Sequence, residues 1–345
     1  MSFTVRRYFL ILAAAAVLWL AVAGFSLVVG AENIWQLRDS QPDAFNQILS
    51  SRLERTLTAA LVGAALAASG VAFQALLRNP LAEPYILGVS GGASLGVILA
   101  TVLLPVSCLT FTIPALGLTL SAAGLAGFLM ALVTVGAVYL IAQRHGRLDP
   151  YRLILTGVIV NAFFGAAIML TAALAGDRLR NEIIYWLMGG LGSLRARWGE
   201  LAVAALVILA GLAVFVYQAA GFNLLSFGED VAASLGLHVE RRRRSAFVVA
   251  SLLAGVSVSL AGPIGFVGLI VPHLLRMIFG SDHRLLVPLS IFGGAIFLMI
   301  GDRLVQLVPY NLVGGLPVGV VTALCGVPFF ILLMRRSRTP QGAAP

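Results

Sequence analysis

Apolar runs of about 20 residues, separated by short polar or charged breaks, recur along the whole chain. They fall near residues 8–29, 56–77, 85–104, 114–142, 153–175, 199–220, 285–305 and 312–334. Each is long enough as a helix to cross a hydrocarbon core of about 30 Å at about 1.5 Å per residue. One region resists this count. Residues 245–279 are too many for one span and few for two, since 245–260 and 264–279 would each reach only about 24 Å as helix. Within it the stretch GPIGFVGLIVPHLLRMIFG (262–280) holds two prolines, four glycines, His273 and Arg276.

Charge decides what hydropathy leaves open. Arg241 to Arg244 stand before the region, and Arg276 and Arg284 stand at its end and just beyond. Clustered arginines favour the cytoplasm, so an even number of crossings must lie between them. The turn falls at Gly262-Pro263-Ile264-Gly265, where glycine tolerates unusual φ and proline cannot continue the incoming helix. The pattern predicts an all-α polytopic membrane protein: about ten transmembrane helices, both termini cytoplasmic, one transmembrane unit over 1–345.

This topology places fifteen arginines inside (6, 7, 78, 144, 147, 152, 241 to 244, 276, 284, 335, 336 and 338) against six acids, and eight arginines against eight acids outside. The whole formal charge of +9 is then cytoplasmic. The basic excess reads as topology and contact with anionic lipid, not nucleic-acid binding. Arg178, Arg180, Arg195 and Arg197 are discordant, crowding one outer loop.

Composition agrees with the pattern. Hydrophobic residues make up 60% and charged residues 11%, whereas a soluble domain carries roughly 25% charge. The N-terminal run after Arg6 and Arg7 exceeds the 7–15 residues of a signal-peptide core and reads as a retained first span, 8–29. Cys108 and Cys325 are too few and too distant for a disulfide framework or a metal site.

Several chemistries are excluded or disfavoured. The chain contains no lysine, so it has no GxxxxGK[ST] phosphate loop, and the glycine-rich GVSGGASLG (88–96) cannot act as one. Those glycines serve close helix packing or line a path. His145, His238, His273 and His283 form no cluster with acids or cysteines within the spans, which disfavours a naked-metal transporter. The acids sit at span ends or in loops, which weakens a proton-coupled carrier.

Two local patterns carry candidate function. In the fifth span Thr156, Gly157, Asn161 and Gly165, with Ile168, fall near one helical face. Asn161 there either bonds a neighbouring helix or faces a solvated path. In NLLSFGEDVAASLGLHVERRRR, Gly228 breaks the chain, Glu229 and Asp230 suit a helix N-terminus, Ala232 and Ala233 offer a smooth face before Leu235, and Gly236 ends the turn. Residues 222–238 read as a connector holding a short cytoplasmic helix.

The blocks RNPLAEPYILGVSGGASLG, GEDVAASLGL, GPIGFVGLIVPHLLRMIFGSDHR and GGLPVGVVTALCGVPFFILLMRR, in this order over 52–336, resemble the permease family of ABC importers for ferric siderophores, haem and vitamin B12. The resemblance implies a permease of the bacterial inner membrane that pairs with a second copy of itself. Two ATPase subunits bind below, and a periplasmic or lipid-anchored substrate-binding protein docks above. ATP and Mg would belong to the ATPase; this chain would hold no cofactor, no metal and no catalytic residue. The helix around Gly228, Glu229, Ala232, Ala233, Leu235 and Gly236 would couple to the ATPase. Ile264 in the Gly-Pro-Ile-Gly turn would lie by the path, with Thr156, Gly157, Asn161 and Gly165.

Other implications fall at the two faces of the membrane. His273 would be an interfacial histidine or part of the coupling route, and Pro272 with Arg276 would make a bent helix end anchored at the cytoplasmic interface. On the outer side Arg52 and Arg55, which share a helix face, would meet glutamates of the binding protein, with Asp302 and Arg303 near a third contact. Gln306 stands where that contact expects an arginine. The cargo implied is a chelated iron compound, with haem or cobalamin as the alternative; a secondary carrier and a non-transporting scaffold are the rival classes.

Overall fold

The computed structural model describes residues 5–29, 42–105, 108–113, 118–144, 146–191, 198–307 and 316–336. Both chain ends, together with Arg195, Arg197 and His145, lie outside the described residues. In chain order the helices are α1 (Val5–Val28), α2 (Pro42–Leu77), α3 (Val89–Leu103), α4 (Ala122–Ala142), α5 (Pro150–Leu174), α6 (Asp177–Leu187), α7 (Trp198–Ser226), α8 (Glu229–Ser234), α9 (Val239–Ala261), α10 (Val267–Phe279), α11 (His283–Leu307) and α12 (Val318–Arg336). Seven of them, α1, α2, α4, α5, α7, α9 and α11, are long and apolar enough to span a membrane. Three shorter apolar helices, α3, α10 and Val318–Ile331 of α12, complete the order that the sequence predicts.

The bundle is built around α2, which packs against α7, α9, α10 and α11. Its buried face from Ala59 to Ala75 is mostly alanine, glycine and serine, so partner backbones come unusually close. A Cβ on Gly63 would lie 2.2 Å from the Gly294 carbonyl oxygen of α11, and one on Gly70 would lie 1.9 Å from that of Gly268 in α10. Between membrane helices such proximity supplies the dispersion contacts that water expulsion supplies elsewhere. Nearer the other end Phe73 of α2 meets Phe247 of α9 edge-on, with centroids 6.4 Å apart.

Local chemistry sets several helix limits. Asp149 caps α5, accepting from the Tyr151 and Arg152 amides at 2.9 and 3.1 Å, with Pro150 in the first turn. The apolar run near 114–142 yields a helix only from Ala122, because 118–121 pairs with 110–113 as an antiparallel hairpin. Ser121 then caps the helix through the Gly124 amide. The run near 85–104 likewise becomes a 3₁₀ turn, Pro84–Leu87, before α3 starts at Val89. A helix that hydropathy does not announce, α6, follows α5. Its Arg178 and Arg180 pair along the helix with Glu182 and Asp177, so these two discordant arginines are locally neutralised.

Candidate functional site

The break between α9 and α10 is where the sequence places it. Helix α9 stops at Ala261, Gly262 takes φ 66°, and the chain leaves the helix until α10 begins at Val267. Residues from three parts of the chain meet here. The Gly190 amide donates to the Ala261 carbonyl at 2.9 Å, and the Gly319 amide at the start of α12 donates to the Gly189 carbonyl, also at 2.9 Å. Beside this junction lies a cavity of about 620 Å³ with uncharged walls, among them Met188, Pro263, Phe266, Gly319, Leu324 and Val327. Ile264, the turn residue assigned to the path, is not among the residues that line this cavity. It is 1% exposed and packs against Gly189, so Pro263, Gly265 and Phe266 face the cavity instead.

The fifth-span residues form a helix contact. Midway along α5 the Asn161 amide donates to the Tyr85 carbonyl at 2.9 Å. Gly157 lets the Ile86 carbonyl approach to within 2.3 Å of where its Cβ would be. Thr156 is buried, and only Gly165 has open space beside it. These side chains secure the 3₁₀ turn that precedes α3 and do not line the 620 Å³ cavity.

At one end of α11 the predicted outer residues converge into a charge cluster. The Arg55 Nε donates to both carboxylate oxygens of Asp302 at 2.9 and 3.0 Å, and its Nη2 lies 2.7 Å from Oδ1. The Gln306 amide donates to Asp302 at 2.6 Å, and Arg303 lies 3.4 Å from it. Arg52 donates to the Leu27 and Val28 carbonyls at the end of α1, and Arg303 to that of Val29. Gln306, which stands in place of an expected arginine, is thus a ligand of the aspartate. Asp302, Arg303 and Arg52 are buried, while the Arg55 side chain keeps 28% exposure. Arg55 alone of the four therefore presents a sizeable part of itself to the surface.

The opposite end of α11 is tied to the end of α7, just before the short helix α8, through Asn223, which bonds Asp282 and the His283 amide. Here α1 and α11 run side by side, since Tyr8 bonds the Arg284 carbonyl at this end. Gly228, at φ 117°, and Gly236, at φ 84°, bracket α8. Glu229 pins its start to Arg243 of α9 at 2.9 Å and to Arg78 at 3.5 Å. The expected smooth face of Ala232 and Ala233 is divided: Ala232 is fully buried and Ala233 is exposed. The outward apolar surface is made by Phe227, Val231 and Leu235 around Ala233.

Arg276 of α10 donates to Gln74 of α2 at 2.8 Å, and the same glutamine donates to the Gly268 carbonyl. His273 stacks edge-on against Phe329 of α12, with centroids 5.9 Å apart. Glu83 is a residue that sequence reasoning passed over. It accepts a hydrogen bond from the Phe266 amide, 183 positions away. Its only sequence signal is an acid set between the prolines of NPLAEP.

Among the described residues ten apolar helices, seven long enough to cross a membrane and three shorter, with an uncharged cavity beside the turn between α9 and α10, define a multi-spanning membrane protein. The FecCD transport family matches residues 10–336, and the chain belongs to it. It is 40% identical over 284 residues to the cobalamin import system permease protein BtuC of Halobacterium salinarum, covering 82% of this chain and 72% of that one. To the hemin transport system permease protein HmuU of Yersinia pestis it is 37% identical over 290 residues, covering 84% and 83%. A solved ABC transporter of metal-chelate type, in an inward-facing conformation, superposes with a TM-score of 0.79 at 29% identity, covering 95% of this chain and 99% of that one. The family resemblance carried by the four sequence blocks is thereby established, and with it an ABC permease of the inner membrane.

Proposed function

We propose that this chain is the membrane subunit of an ATP-driven importer of a ferric siderophore or related iron chelate. In this reading it pairs with a second copy of itself, two ATPase subunits supply ATP hydrolysis with Mg, and an outer binding protein delivers cargo. The observation that carries the proposal is α8. A six-residue helix between two positive-φ glycines, pinned by Glu229 and showing Phe227, Val231 and Leu235 outward, is a rigid apolar knob suited to a groove on a partner. It lies at the end of the bundle away from Arg55 and Asp302, which sits about 29 Å along α11 from His283 at about 1.5 Å per residue, and this leaves the other face for the binding protein.

The uncharged cavity wall favours a chelate, whose ligands already satisfy the metal, over a bare ion that would need charged or polar donors from the protein. Similarity to both a cobalamin and a hemin permease supports haem or cobalamin as the second reading. The test is purification of the assembled complex with its binding protein, followed by identification of the bound ligand. A ferric chelate supports the first reading, and a corrinoid or haem supports the second. Gradient-driven uptake by the isolated chain in vesicles would refute both.

A further inference from the structure

Glu83 is a carboxylate that ends up among helices. Among the described residues it makes no ion pair. What faces it is the start of α10, where the Phe266 amide donates to it. The first amides of a helix lack intrahelical acceptors and carry the positive end of the helix dipole, so a carboxylate is held there without a cation. Glu83 thus caps a helix 183 residues away, tying the irregular stretch before α3 to the irregular stretch before α10.

The residue it holds is unusual. Phe266 has φ 68° and ψ −18°, a left-handed backbone that bulky side chains avoid. Among the described residues the only other non-glycine with positive φ is Arg78. This backbone sets the Phe266 side chain directly against Gly326 of α12, where a Cβ would lie 2.2 Å from the ring. The ring forms part of the cavity wall.

We propose that Glu83 is a positioning residue for the transport path: its hydrogen bond keeps Phe266 in the strained backbone that lays the ring on Gly326 and closes this side of the cavity. Calling the cavity a path rests on the proposed function; the positioning itself does not. Breaking the bond frees the segment to relax, and the ring leaves its seat.

The test uses the full chain in lipid nanodiscs, with Cys108 and Cys325 replaced by serine and a cysteine introduced at Gly265. E83A should speed labelling of that cysteine by a small thiol reagent about tenfold, the population change expected from losing a buried hydrogen bond. E83Q keeps an acceptor and should change the rate by no more than about threefold, since a neutral acceptor is roughly half as strong. Hydrogen exchange at the Phe266 amide should follow the same order. G326A, which unseats the ring with Glu83 intact, should raise labelling too, and it provides the test if E83A fails to fold. Equal labelling and exchange in the parent and all three variants would overturn the proposal. ATP hydrolysis by the assembled complex is read separately: faster labelling in E83A with no rise in cargo-free hydrolysis refutes the path reading and leaves the positioning role standing.

Discussion

Replacing Asp302 by asparagine removes the single anion at the centre of a cluster in which Arg55 and Arg303 contact it and Arg52 stands close by. The aspartate is 1% exposed and Arg303 3%, so neither the lost charge nor the remaining guanidinium can be made good by bulk water. Removing one partner of a buried pair costs about 3–5 kcal/mol, because the survivor stays buried and uncompensated. Arg55 is partly wet, which places the expected loss nearer about 3 kcal/mol. The assay is reversible unfolding in mixed micelles by increasing SDS, followed by tryptophan fluorescence. Raising salt from about 0.1 to about 1 M shortens the Debye length from about 10 to about 3 Å, yet the difference between parent and variant should persist, since a dry cluster is screened little. Adding Arg55→Leu to the variant should recover part of the loss by removing an unpaired cation. A loss below about 0.5 kcal/mol, the size of an ordinary surface change, would refute the internal-clamp interpretation. A loss that vanishes at high salt would refute it equally.

Gly63→Ala and Gly294→Ala should each destabilise by about 1–3 kcal/mol in the same unfolding assay, through overpacking at the α2–α11 crossing. Because one separation of the helices relieves both clashes, the double variant should cost less than the sum by at least about 0.5 kcal/mol; strict additivity would show that the helices do not meet there. Leu235→Asp should abolish co-purification of the ATPase while leaving the chain folded, and unchanged pull-down would remove α8 as the contact. Arg55→Glu should slow association of the binding protein at low salt, measured by surface plasmon resonance, whereas Arg52→Glu should chiefly lower thermal stability; the reverse assignment would refute the exposure argument.

Much of this architecture is legible in the sequence because membrane spans announce themselves by length. Gly262-Pro263 marks the break between α9 and α10 for a local reason, independent of neighbours. The late start of α3 is not legible: Pro84 to Leu87 are as apolar as the helix that follows, and only the contacts to Asn161 and Gly157 show where the chain turns. The division between Ala232 and Ala233 is hidden for a related reason. Six residues are under two helical turns, too few for periodicity to show which side packs. Glu83 does not stand out in the sequence because hydropathy places it in a loop outside the spans, while the fold draws that loop back against the start of α10. The outer arginines are legible as a group, but the partner that fixes Arg55 is a carboxylate 247 positions away.

That separation governs how the chain can be assembled. During synthesis α2 enters the membrane long before α11 exists, so Arg52 and Arg55 must wait without Asp302. Their position near one end of α2 makes the wait tolerable, because arginine stems can reach along the helix and keep the guanidinium at the water interface. The Leu27 and Val28 carbonyls of α1 are available earlier and give Arg52 a temporary and then permanent acceptor. Arrival of α11 completes the set, and the ion pair then acts as the late fastening that joins the first-made part of the bundle to one of the last.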